Sequence, residues 1–249
     1  MKIIYHDKYL ENYPTASVEC PERVRRIYTE LQGVFDFITP KPGREEDLEL
    51  VHSKTHIEAV KRHAITYKVA LLAVGGAILT AELARQGTPG FGLIRPPGHH
   101  ASPNSSWGFC FFNNMAIAIE KLRNEGKIRQ AFILDIDLHF GDGTVTYFKR
   151  IPDVSILNIS TQNREEYLEE VLSGLRDFEY DMIGVSAGFD LFEKDWGGVL
   201  TTEDYRIIGE LVKEAASEKC DGRRFALLEG GYYLPDLGKN VKAFLEGLK

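Results

Sequence analysis

The chain has 249 residues, 43% hydrophobic and 27% charged, enough apolar material for a globular core, which excludes a disordered or fibrous protein. Its formal charge of -7 is a poor basis for gripping nucleic acid through phosphates, so no direct nucleic-acid binding is expected, and it would not repel a cationic amine. Three widely spaced cysteines, Cys20, Cys110 and Cys220, form no C-x-x-C pair, which argues against a disulfide framework or a zinc ribbon.

The N-terminus MKIIYHDKYL lacks the apolar run of a signal peptide. No apolar stretch is expected to reach membrane-spanning length, and the expectation is a soluble, cytoplasmic chain in a reducing compartment. In chain order, Ala59 to Ala84 reads as one long helix, with Ala73, Gly75, Gly76 and Ala77 suited to close packing. Helical periodicity follows at Asn113–Asn124, Arg164–Leu175, Glu203–Glu218 and Leu237–Leu248, with Asn113 or Asn114 and Thr201 or Thr202 as candidate caps. Short unalternating apolar runs lie between and beside them: Phe91–Ile94, Ala131–Leu134, Val154–Ile159, Met182–Val185 and Phe225–Leu228. Such runs suit strands buried on both faces, so the expected class is α/β, a central parallel sheet flanked by helices in three layers, forming one domain over 1–249.

Each run is followed by polar or glycine-rich sequence: RPPGHHA, DIDLHFGDG, Ser160, SAGFD and EGGYY. In open parallel sheets the carboxyl edge forms the ligand crevice, so residues from Arg95 to Tyr232 are expected to converge there. Within Asp135-Ile136-Asp137-Leu138-His139, alternation sends three polar side chains one way, and a carboxylate and an imidazole at i and i+2 can close on one metal ion. An Asp-rich loop capping the next helix is the plainer reading of that motif. Asp190, after the flexible Ser186–Phe189 turn, offers a third ligand, and His plus two carboxylates leaves a position open for water.

The adjacent His99 and His100 suit proton transfer better than ligation once three ligands are in hand, with Asp135 and Asp142 as spare acids to orient them. By themselves, EGGYY reads as a glycine turn with packed aromatics, and Trp107–Phe112 as core, part of which walls a pocket. Cys110 reads as a small buried hydrophobe.

RPPGHHA, GFCFFNN, LDIDLHFGDG, SAGFD and LEGGY, in this order, resemble the histone deacetylase and acetylpolyamine amidohydrolase superfamily, from about Pro21-Glu22-Arg23 to the C-terminus. The resemblance implies an arginase/deacetylase-like fold and zinc-dependent hydrolysis of an acetylated amine, such as acetyl-lysine or an acetylpolyamine. It implies Asp137, His139 and Asp190 as the Zn2+ ligands, one ion per chain. His99 and His100 become the general acid–base pair, backed by Asp135 and Asp142 respectively. Tyr232 becomes the hydrogen-bond donor to the substrate carbonyl, and Gly108 and Phe109 the channel residues. It also implies a monovalent cation, K+, at Asp135, Asp137, His139 and Ser160, held largely by backbone carbonyls.

Three departures stand out. Only 29 residues separate Ser160 from Asp190, with no match for a glycine-rich loop bearing a second channel aromatic, so an open, incomplete pocket wall is expected unless a second copy of the chain completes it. Phe140 replaces a histidine common in relatives. The segment before the long helix is short, so rim contacts to a peptide are expected to be few. An arginase-like ureohydrolase would need more carboxylates than SAGFD offers. A non-catalytic acetyl-binding module would have lost a ligand, the histidines or Tyr232, and none is missing.

Overall fold

The computed structural model describes all 249 residues. Seven strands, β1 (Lys2–Ile4), β2 (Asp36–Ile38), β3 (Gly90–Gly92), β4 (Ala131–Asp135), β5 (Val154–Asn158), β6 (Ile183–Ala187) and β7 (Arg224–Leu228), form one sheet in the order β2-β1-β3-β7-β6-β4-β5. Every pairing is parallel. Strands β4, β6 and β7 are buried at every position, as continuous apolar runs in the middle of a covered sheet must be, whereas the edge strand β5 is largely half-buried. The expected α/β class with a flanked parallel sheet is what folds.

Nine helices cover the sheet: α1 (Pro21–Leu31), α2 (Glu45–Leu48), α3 (Lys54–Lys61), α4 (Ala64–Arg85), α5 (Asn114–Asn124), α6 (Asp142–Phe148), α7 (Arg164–Asp177), α8 (Thr202–Lys219) and α9 (Leu234–Leu248). Helices α4 and α5 pack together on one side, and α1, α9, α8 and α7 form a chain of contacts on the other. Asn113 and Thr201 are the caps chosen: Asn113 accepts from the Ala116 N–H, and Thr201 forms a capping box with Asp204. The stripe on α7 points inward through Tyr167, Val171 and Leu175.

Three expectations are corrected. The long helix is two, because His63 leaves helical backbone geometry and α3 turns its Ile57–Val60 face against α4. Helix α4 is also long and apolar enough to cross a membrane, contrary to the sequence reading. It packs against β1, β3, β7 and α5, with twelve of its residues buried, and serves as a core helix. Its glycines admit close approach of two other segments: a Cβ on Gly75 would meet the Lys41 carbonyl at 2.0 Å, and one on Gly76 the Tyr9 hydroxyl at 2.6 Å. Helix α9 starts three residues before its periodic stripe, since Pro235 is accommodated in the first turn, where no backbone N–H is needed.

Candidate active site

The crevice lies at the carboxyl ends of β3, β4, β6 and β7. Strand β4 ends at Asp135, and a bend carries Asp137 and His139. Backbone donors fix the carboxylates of this bend and of Asp190. Asp135 Oδ1 accepts from the Asp137 N–H (3.2 Å), and Asp137 Oδ1 from the His139 N–H (2.9 Å). Asp137 Oδ2 accepts from the Gly230 N–H (2.8 Å), and Asp190 Oδ1 from the Leu138 N–H (3.0 Å). Three segments of chain are thereby tied to one spot. A Cβ on Gly230 would meet Asp137 Oδ2 at 2.5 Å and Asp190 Oδ2 at 2.8 Å, so glycine is what allows the approach.

Asp137, His139 and Asp190 each aim one ligand atom at this spot, all within 4.8 Å of one another. His139 Nδ1 lies 3.1 Å from Asp137 Oδ1 and 3.0 Å from Asp190 Oδ2. Asp190 Oδ2 is buried and takes no hydrogen bond. Burial pushes the Asp190 carboxyl up, and the neighbouring Asp137 carboxylate adds to the shift. An orphaned carboxylate oxygen beside a second carboxylate and an imidazole nitrogen is costly without a partner. This donor set fits a divalent cation with a coordination position to spare.

The two histidines stand beside this triad, their ring centroids 4.0 Å apart. His99 Nδ1 is 3.1 Å from Asp135 Oδ2, and His100 Nδ1 is 2.7 Å from Asp142 Oδ1. Burial opposes charge on His99, but the carboxylates of Asp135, Asp137 and Glu229 prevail and hold the imidazole well above its usual range. Burial and the adjacent His99 push His100 down to about 4, against the pull of Asp142. The pair therefore splits into one imidazole that favours its proton and one that yields it.

A cavity of about 110 Å3 is lined by both histidines, His139, Trp107, Gly108, Phe109, Cys110, Trp196, Gly230 and Tyr232, with Pro97. Gly108 has φ +62°, the left-handed turn that brings Phe109 into the pocket, where its ring meets Tyr232 edge-on at 5.8 Å. Trp196, which sequence reasoning missed, adds a further aromatic to the lining of this cavity. Its ring stacks on Tyr232 with centroids 4.2 Å apart and 21° between planes. The Thr161–Tyr180 stretch carries helix α7, as expected, and the aromatic comes from beyond Asp190 instead. A tryptophan before a Gly197-Gly198 pair was the available signal.

Arg23 was also missed as a functional residue. Buried, it donates to the Gly231 carbonyl (2.6 Å) and the Glu229 carbonyl (2.5 Å), and its guanidinium lies 4.8 Å from the Tyr232 ring centroid. It holds the turn that presents Tyr232. Glu229 braces the histidine loop in the same way, Oε2 accepting from the Gly98 and His99 N–H groups at 2.7 and 3.2 Å. Ser160 is exposed, two residues past β5.

The family described as Histone deacetylase domain matches residues 17–168 and 158–248. A probable deacetylase of Methanothermobacter thermautotrophicus is 31% identical over 304 positions, spanning 100% of this chain and 90% of its own length. Another probable deacetylase, from Archaeoglobus fulgidus, is 32% identical over 296 positions, spanning 92% and 80%. Among solved structures, the HDA15 HD domain superposes with a TM-score of 0.87 over 99% of this chain and 88% of its own, at 23% identity, a likeness of fold.

Proposed function

The chain belongs to the histone deacetylase family, and from that premise we propose that it is a zinc-dependent amidohydrolase. It would remove an acetyl or similar small acyl group from an acylated primary amine, such as acetyl-lysine or an acetylpolyamine. The observation that carries the reading is the convergence of Asp137, the unpartnered Asp190 Oδ2 and His139, the last of which lines an aromatic-walled cavity together with His100. A cavity of about 110 Å3 suits an acyl group and a few methylenes rather than a bulky ligand.

Asp137, His139 and Asp190 would hold Zn2+, which when bound supplies Lewis acidity toward the acyl carbonyl and lowers the pKa of water. The chain's own groups do the rest. Asp142 accepts from His100 Nδ1–H, which leaves Nε2 as the free nitrogen of a ring lining the cavity. Neutral at working pH, His100 takes a proton from the attacking water as oxygen bonds to the carbonyl carbon. It returns a proton to the amine nitrogen as the C–N bond breaks, giving a carboxylate and a free amine. His99, oriented by Asp135 at 3.1 Å and stacked against His100, is the second imidazole of the pair beside the reacting carbonyl. Tyr232 donates to the same oxygen, a contribution of about 3–4 kcal/mol by analogy with oxyanion holes. Phe109, Trp196 and Tyr232 bury the stem that carries the acyl group.

The test is a hydrolysis screen of Zn2+-loaded protein against acetyl-lysine peptides, acetylpolyamines and longer acyl amides. Turnover of none of them, by protein with one zinc per chain, would reject the reading.

A further inference from the structure

The two histidine–carboxylate pairs differ in how they are enclosed. Asp135, behind His99, is sealed in the fold with 1% of its side chain exposed, whereas Asp142, behind His100, is 44% exposed. Water competes for an exposed carboxylate and lets it turn away from its partner. At Asp142 the competing position is occupied by Trp107. The indole Nε1–H lies 3.0 Å from Asp142 Oδ1 and 2.9 Å from Oδ2. Indole nitrogen is a donor only, so this contact needs the carboxylate and cannot reverse.

The same indole covers His100, with centroids 3.9 Å apart and 33° between planes. With His99 at 4.0 Å, the two rings must occupy opposite faces of the imidazole, which is held between them. Trp107 itself is 53% exposed, a poor place for so large an apolar side chain unless local contacts hold it. The left-handed turn at Gly108 permits the arrangement, sending Trp107 over the pair and Phe109 into the pocket.

We infer that Trp107 is a positioning residue for His100. Its N–H clamps the Asp142 carboxylate in line with His100 Nδ1, and its ring fixes the imidazole plane, so that Nε2 keeps its aim at the reacting centre. The inference rests on the reading of His100 as the proton carrier.

Trp107→Phe keeps the stacked ring and removes the N–H. In otherwise wild-type protein it should lower kcat by roughly 3–10-fold with KM nearly unchanged, the loss of one charge-assisted hydrogen bond acting at a distance. In an Asp142→Ala background the same change should alter kcat by less than about 2-fold, because the group it acts through is gone. Equal losses in both backgrounds, or a KM rise at constant kcat, would overturn the inference; the second outcome would make Trp107 a substrate contact. Protein labelled with 15N-histidine gives a readout independent of turnover, with His100→Gln identifying the signal. The His100 Nδ1–H should exchange with solvent at least about 10-fold faster in Trp107→Phe than in wild type, as expected when a cover and a clamp are removed. Unchanged exchange with hydrolysis intact rejects the role of Trp107 alone. Faster exchange in a protein that hydrolyses no acylated amine rejects the proposed function and leaves the clamp standing.

Discussion

Trp196 lies flat on Tyr232 because one carboxylate holds both backbones. Asp195 Oδ1 accepts from the Trp196 N–H at 2.8 Å, while Oδ2 accepts from the Tyr232 and Tyr233 N–H groups at 2.6 and 2.7 Å. The pocket wall and the proposed carbonyl donor are thus set by a single side chain from the β6–α8 connection. Trp196→Ala should raise KM for acetyl-lysine peptides by about 10-fold while kcat changes less, since removing the indole returns roughly two methylenes of the substrate stem to water at ~0.8 kcal/mol each. Steady-state kinetics on a peptide series checks it. An unchanged KM would remove Trp196 from the wall.

One divalent ion should bind per chain and raise the thermal midpoint of the wild type, as any ligand specific to the folded state does. His139→Ala should lose the ion, the thermal shift and hydrolysis together. Metal analysis after dialysis reads the stoichiometry, and two tightly held ions per chain would favour a dinuclear, ureohydrolase-like centre.

His100→Ala should retain the ion, because the three-residue donor set is complete without it. Hydrolysis should fall by about 10²–10⁴-fold, the usual worth of general acid–base catalysis. Loss of metal from this variant would make the histidine a ligand.

Tyr232→Phe should fold and bind substrate yet turn over roughly 10²–10³-fold more slowly. Tyr233 packs near Phe192, with ring centroids 6.1 Å apart, and does not line the cavity, so Tyr233→Phe should leave kcat within a small factor. The opposite ranking would move the donor role to Tyr233.

Acid should destabilise the fold through His52. It is buried, its Nε2 accepts from the Asn113 N–H at 2.9 Å, and its Nδ1 faces the Ser102 carbonyl at 3.1 Å, a pairing only the neutral ring satisfies. Burial, with the nearby His56 adding to it, pushes the pKa down from 6.5 to about 3. The unfolded chain therefore binds the proton first. The stabilisation is fully present above pH 6.5 and drains away as pH falls toward 3, by at most about 1.4 kcal/mol per unit. Denaturant titrations between pH 7 and 4 should show a shallower pH slope in His52→Gln than in wild type; equal slopes would exclude His52 as the source.

The class of fold and the residues that converge at one sheet edge were legible in the order of amino acids alone. Unalternating runs such as Ala131–Leu134 and Phe225–Leu228 read as strands covered on both faces, and burial on both faces follows from that composition. Asp137, His139, Asp190, His99 and His100 were legible because each follows a strand, and parallel strands bring their carboxyl ends to one edge. The strands β1 and β2, three residues each, were too short to leave a pattern, and the break at His63 has no local breaker to mark it.

What surrounds those residues was settled by folding. Trp107 reads as core in a row of aromatics, yet it stands half-exposed over His100 because the chain turns at Gly108. Trp196 stacks its ring on Tyr232, 36 positions away, while Arg23 and Glu229 reach the Gly231 carbonyl and the Gly98 N–H, 208 and 131 positions away, through their side chains. Such contacts have no period and no fixed spacing. They depend on which loops the packed sheet brings together, and that information exists only once the chain is folded.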